Sequence, residues 1–448
     1  MPPSHLHRHA PPEVLSAIRR DLADRREWQG RLVVLAFAGL AGGAVVAFTW
    51  LCERASGLFT ALYTAHPLAP LLLTPLLCAA IVALTRRFAA GASGSGIPQV
   101  IAALDPAVPS RSRGLFVSLR LALAKMGLTA LGLLGGLPIG REGPSVQIAA
   151  GVMLHARRWL PPGASIRPHG LLVAGGAAGI AAAFNAPLAG VMFAIEELTP
   201  RMEQRSSGLV VAAIVLAGLV AVSAFGNSAY FGVIHAAPLD WTFLGPAALV
   251  VGVSGLVGGV FSRLLHTSLS GTGTDPASRW RRRQPVLFAA ACGLVVAAVG
   301  VASGGASFGA GYHYTRELVA GQATLPLLYV TLRLVATWIA LWSGVPGGLF
   351  APSLAIGAGL GHDVALLCGS AGQSPALIAL GMAGFLAAIT QAPITAFIIV
   401  MEMVDGHALV LSLMAAALLS SLIARWIAQP LYPALAAGQL ARLEPAKP

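Results

Sequence analysis

Residues 136 to 144 read "GLPIGREGP", and residues 344 to 352 read "GVPGGLFAP". Glycine and proline fall at matching places in the two strings, 208 positions apart. A second pair follows in the same order: "GGAAGIAAAFNAPLAGVMFAIEEL" from residue 175 and "GMAGFLAAITQAPITAFIIVMEMV" from residue 381, at an offset of 206. Matched alanines count for little in so Ala-rich a chain. Gly175, the Ala186-Pro187 pair and Glu196, repeated at one spacing, count for more. Corresponding apolar segments interrupted by glycine and proline in two halves of a chain predict a transporter built from repeats, with its site between them near the bilayer midplane.

The surrounding sequence fits a membrane. Of 448 residues, 56% are hydrophobic and 10% charged, and the mean hydropathy is +0.77, far from the composition of a soluble domain. Successive apolar windows, each needing about 20 residues to cross, predict roughly ten to twelve passes. The formal charge of +12 does not point to nucleic acid. Its basic residues cluster at segment ends, at Arg86 and Arg87, Arg157 and Arg158, and "RWRRR" at 279 to 283, which is the positive-inside pattern. The first 34 residues are polar and carry no short apolar core with a cleavage site, so a cytosolic amino end is expected. Over residues 1–30, Leu15, Ile18 and Leu22 share a helical face while Arg19, Arg20, Arg25 and Arg26 lie mostly elsewhere, the pattern of a helix on the membrane surface. One membrane domain is expected over 31–433, its repeats covering about 31–225 and 241–433, followed by a short cytosolic tail over 434–448. Cys52, Cys78, Cys292 and Cys368 stand singly in apolar runs, as packing residues rather than a metal site. No metal or cofactor is expected.

Three strings place glycine just ahead of proline and an apolar run: Gly96 before Pro98 in "GSGIP", Gly143 before Pro144, and Gly347 and Gly348 before Pro352. Proline fits the first turn of a helix and glycine lets the preceding backbone bend. These are helix starts inside the bilayer, where the unpaired N–H groups and the positive end of the dipole need a partner. An anion suits them. Burying a bare anion costs on the order of tens of kcal/mol, and one helix terminus returns about 0.3 to 2, so several termini must converge with direct N–H and O–H bonds. Ser95 supplies a hydroxyl. Neutral donors suit a halide that must leave again.

Carboxylates are scarce, and one inside a membrane costs about 2.5 to 3.5 kcal/mol, so each is a functional candidate. Glu142 lies within a helix start. As a carboxylate it can occupy an anion's place, and protonated it would be released, coupling anion to proton movement; alternatively it stabilises its own helix dipole. Glu196 matches Glu402 across the repeat, which predicts a structural role in capping or packing. Glu197 faces Met403 across the repeat and has no acidic counterpart, as one-sided proton delivery requires, although a solvated pair at the interface would look the same.

Taken together, "GSGIP" at 94, "GREGP" at 140, "GLFAP" at 348 and "FNAPLAG" at 184 resemble the CLC chloride channels and proton-coupled chloride transporters, over about residues 30 to 440. The resemblance implies an all-α polytopic membrane protein of two inverted-topology repeats whose broken helices meet at a midplane anion site. It implies that Ser95 and Tyr432 coordinate chloride by their hydroxyls, with backbone amides at Ile97, Leu349 and Phe350. It makes Glu142 the external gate and Glu197 the internal proton-transfer acid, and keeping both favours an exchanger of the bacterial inner membrane over a passive channel. It further implies a homodimer in lipid, with interface stretches near 188 to 224 and 394 to 427. Gln99 and Ile101 depart from the acids that some bacterial exchangers carry there, which would leave Lys125 without a partner.

Two rivals are distinguishable. A passive chloride channel would share the pore without moving protons. A serine hydrolase could use Ser93 of "GASG" with His266, His313, His362 or His407 as base, but these histidines fall at segment ends or in loops.

Overall fold

Proline and left-handed residues punctuate the chain. The computed structural model describes residues 25–164, 166–199, 204–226, 230–234, 241–322 and 328–442. The surface helix expected over residues 1–30 lies almost wholly outside the described residues. The first half comprises α1 (Arg25–Ala65), α2 (Pro70–Phe88), α3 (Ile97–Leu104), α4 (Leu119–Leu134), α5 (Glu142–His155), α6 (Pro168–Phe184), α7 (Pro187–Phe193) and α8 (Gln204–Phe225). The second comprises α9 (Leu244–Leu269), α10 (Pro276–Arg283), α11 (Pro285–Ala302), α12 (Tyr312–Val319), α13 (Tyr329–Trp342), α14 (Phe350–Leu367), α15 (Ser374–Thr390), α16 (Pro393–Met403) and α17 (Val410–Arg425), and α18 (Leu431–Leu440) closes the chain. Eight helical segments among the described residues are long and apolar enough to cross a bilayer, and four shorter apolar helices accompany them.

Helices α2 to α8 correspond in order to α11 to α17. Asn185 (φ 56°) ends α6 and Gln391 (φ 58°) ends α15, each followed by an Ala-Pro that starts the next helix. The apolar sequence from Pro375 almost to Trp426 is divided in this way into three helices.

Two reciprocal exchanges locate the symmetry. Gly140 N donates to Gly348 O at 2.8 Å and Gly348 N donates to Gly140 O at 2.7 Å, an antiparallel bridge between residues 208 positions apart. Glu196 accepts from the N–H groups of Ile394 (3.1 Å) and Thr395 (2.7 Å), opening α16, while Glu402 accepts from those of Leu188 (3.2 Å) and Ala189 (2.8 Å), opening α7. Equivalent residues that bond one another both ways straddle a two-fold axis. The starts of α5 and α14 abut at that axis and the helices run away from it, so the repeats cross the membrane in opposite senses.

The capping role expected of Glu196 is thus met, and Glu402 mirrors it. In lipid no water replaces such a cap. Glu402→Ala leaves two N–H groups without their acceptor, and a charged hydrogen bond contributes about 1.5 to 3 kcal/mol. We expect a lowered thermal unfolding midpoint in detergent, with Glu196→Ala behaving alike. Equal midpoints for both variants and the unmodified chain would refute the reciprocal cap.

Around the axis, α5 packs on α6 and α14 on α15 through small residues. Gly179 lies against the Ser145 backbone, and Gly357 lies against the Gly381 backbone. Backbones approach closely there, which replaces the hydrophobic drive that lipid cannot supply. Cys52, Cys78 and Cys292 are buried on α1, α2 and α11, but Cys368 is exposed at the end of α14, so the packing role expected of it does not hold. The boundary expected at residue 433 falls inside α18, which continues to Leu440 and docks against α3.

Candidate functional site

The turn ahead of α3 is fixed by side chains on both flanks. Gly94 (φ 69°) and Gly96 (φ 112°) bend it. Gln99 accepts from Gly96 N at 3.0 Å and donates to Ser93 O at 2.5 Å, and buried Lys125 donates to the carbonyls of Ala92 (2.6 Å) and Gly94 (2.7 Å). Lys125 therefore has partners, contrary to expectation. They are carbonyls rather than an acid, and Gln99 secures the same turn. Ile101 packs against the core.

This turn sets Ser95 over the start of α5: a methyl group on Gly143 would run into the Ser95 hydroxyl. From the other end of the chain α18 brings Tyr432, 1% exposed, with its ring 6.0 Å from that of Phe350, the first residue of α14. The buried Ser95 and Tyr432 hydroxyls face one another, and neither meets hydrogen-bond geometry with a described group. Each such group costs about 1 to 3 kcal/mol. Ile97 and Phe350 occupy first helical positions and Leu349 the position just before, so no carbonyl one turn back in their own helices accepts their N–H groups. The expected ligands Ser95, Ile97, Leu349, Phe350 and Tyr432 thus come together as uncharged donors at abutting helix starts.

Cavities lie on both sides. One of about 140 Å³ reaches Ser95 and Tyr432 and is lined farther out by Arg281 and Arg442. Arg281 belongs to the basic run "RWRRR" at 279 to 283. The other, about 180 Å³, is lined by Glu53, Arg141, Asn185, Tyr230 and Arg316. Arginines line both cavities.

Glu142 follows Arg141, which lines the second cavity, and lies within electrostatic reach of Tyr432. It is fully buried. One carboxylate oxygen accepts from Ala351 N at 3.4 Å, in the first turn of α14, and the other accepts from the Tyr312 hydroxyl. The acid, in the first turn of its own helix, therefore also sits on the other repeat's helix start. Arg141 bonds Glu53 at 3.1 Å and the Tyr230 hydroxyl at 2.6 Å, and its guanidinium lies 5.0 Å from the Tyr312 ring centre. Sequence reasoning passed over Tyr312, Tyr230 and Arg141. For Tyr312 a signal existed: "GAGY" at 309 to 312 echoes "GSGI" at 94 to 97.

Glu197 is half-buried on a wide, π-type turn over Ala194–Leu198, a backbone form frequent at functional sites. There it diverges from Glu196 and lies within electrostatic reach of Tyr432. No hydrogen bond among the described residues joins it to Ser95, Tyr432 or Glu142. Among the described residues no hydrogen bond joins Ser93 to His266, His313, His362 or His407. Its backbone carbonyl accepts from Gln99, while His313 faces Glu317 at 3.3 Å and His407 faces Asp405 at 3.5 Å on the surface.

Comparison with solved structures places this arrangement among known folds. A slow cyanobacterial Cl⁻/H⁺ antiporter is 26% identical and superposes with a TM-score of 0.76 over 94% of this chain and 99% of its own. A CLC-type fluoride/proton antiporter, 22% identical over 95% of this chain and 99% of its own, and a eukaryotic CLC transporter, 20% identical over 91% and 74%, share the fold, each with a TM-score of 0.71. Residues 77–425 match the family model of the voltage gated chloride channels. With helix starts from two inverted repeats meeting at unpaired hydroxyls, and that match over most of its length, the chain belongs to the voltage gated chloride channel (CLC) family.

Proposed function

We propose that this multi-pass membrane protein exchanges chloride for protons, working as a homodimer in a bacterial inner membrane. One observation carries the reading: the Glu142 carboxylate lies on the N–H of Ala351, one residue after the cavity-lining Arg141 and near the Ser95 and Tyr432 hydroxyls, which line the other cavity. A carboxylate and a chloride carry the same charge and want the same donors. Chloride entering past Arg281 meets Ser95, Tyr432 and the amides of Ile97, Leu349 and Phe350. It can advance only when Glu142 yields its place, and a protonated Glu142 no longer competes as an anion. Glu197, reached from the Tyr432 side, relays the proton. The cyanobacterial antiporter supports exchange over passive conduction. Exposed apolar side chains on α8 (Val215, Leu219) and α17 (Leu411, Leu418, Leu422) support a subunit interface within 188–224 and 394–427.

The test is proton uptake into liposomes driven by a chloride gradient. The unmodified chain should drive protons against their gradient, and Glu197→Ala should pass chloride while proton flux falls to background. Chloride flux without protons in the unmodified chain would replace exchange by the channel reading.

A further inference from the structure

The turn that opens α12 repeats the one that opens α3. "GSGI" and "GAGY" stand 215 positions apart, and Gly309 (φ 60°) and Gly311 (φ 94°) reproduce the bends of Gly94 and Gly96. Each turn is held by a buried cation from the following helix. Arg333 of α13 donates to the carbonyls of Ala306 (3.1 Å), Phe308 (3.2 Å) and Gly309 (2.7 Å), as Lys125 of α4 does to Ala92 and Gly94. The two-fold axis thus sets a second GxG turn across Glu142 from the first. The chemistry is shifted, not copied. Ser95 has Ala310 as its counterpart, and the second repeat carries its hydroxyl two residues on, at Tyr312, where the first repeat has Ile97.

We propose that Tyr312 is the outer hydroxyl ligand of the anion pathway, donating in turn to the Glu142 carboxylate and to the chloride that replaces it. This rests on the exchange reading above. The ring is held so that its hydroxyl points at the carboxylate: Tyr230 meets it edge-on at 5.2 Å, Phe231 lies 6.2 Å away, and Arg141 covers it. A neutral phenol gives an anion a hydrogen bond without the trapping charge of a lysine. The charged and titratable groups around the pair are Arg141, its partner Glu53, Tyr230, and Arg316, which donates to Tyr230 O at 2.9 Å. Cys52 on α1 and Tyr432 on α18 are within electrostatic reach of Glu142. The first turn of α14 brings Phe350, Ala351 and Pro352, with no ionisable side chain.

Tyr312→Phe removes the donor and keeps the ring. Without that hydrogen bond the in-place carboxylate is held less firmly, so the pH profile of chloride turnover should differ from that of the unmodified chain. A second arm needs no transport. In Glu142→Ala protein, where the carboxylate is gone, calorimetric bromide affinity should fall about tenfold when Tyr312→Phe is added. In crystals of Glu142→Ala, anomalous scattering should place bromide within hydrogen-bonding distance of Tyr312 Oη, a measurement that needs no Tyr312 variant. An unchanged pH profile with unchanged bromide affinity, or bromide lying away from that oxygen, overturns the proposal. If the unmodified chain moves no protons, the exchange reading fails, while the binding and scattering arms still decide whether Tyr312 is an anion ligand.

Discussion

Glu142→Ala should pass chloride through liposomes at a rate that no longer depends on pH and should move no protons. The carboxylate is buried and accepts from Ala351 N and from Tyr312, so it occupies donors that an anion would otherwise use. Protonating it removes the competing charge. In the unmodified chain, turnover should therefore rise as pH falls. Alanine has no charge to compete and no proton to carry, so both the pH response and the coupled flux vanish together. The rival account, a first-turn acid stabilising its own helix, predicts something much smaller. Removing such an acid costs about 0.3 to 1 kcal/mol of stability and leaves coupling intact. Parallel records of chloride efflux and proton uptake separate the two, and coupled proton flux persisting in Glu142→Ala would end Glu142's part in exchange.

How much of this site could be read beforehand follows from how local each constraint is. Glycine before proline has consequences within one turn of backbone, so the starts of α3, α5 and α14 were legible from Pro98, Pro144 and Pro352. Glu196 was legible as structural because its repeat partner is also an acid, and each proves to cap the other half's helix. Tyr432 could be reached only by resemblance, since nothing near it announces that α18 returns to α3. Tyr312 was hidden by register. The second GxG turn is offset by 215 positions, whereas the matched Gly/Pro strings are offset by 208, because the connections between helices differ in length in the two halves. Lys125 misled for another reason. A buried lysine was expected to seek a carboxylate, but its amine donates instead to two carbonyls of a tight turn.

The second large effect is expected from Gly96→Ala, which should abolish chloride transport and lower thermal stability, while Gly94→Ala two residues away stays active. Both glycines hold positive φ, 112° and 69°, so alanine pays a conformational cost at either, about 1 to 3 kcal/mol. Space separates them. A Cβ on Gly94 meets nothing within 4 Å, whereas one on Gly96 runs into the carbonyl oxygen of Gly143 and lies 3.0 Å from Gln147 Cβ. Backbone cannot swing aside as a side chain does, so α3 must back away from α5, adding about 1 to 3 kcal/mol for overpacking. The displacement falls on the functional atoms, because Ser95 precedes Gly96 and Glu142 precedes Gly143. Separating these helix starts pulls the Ser95 hydroxyl off the donor cluster and leaves the N–H groups of α3 facing lipid or protein without an anion between them. Thermal midpoints in detergent together with chloride efflux test the contrast. Equal behaviour of the two variants would mean that contact between α3 and α5 does not set the site, and that positive φ alone limits what these positions accept.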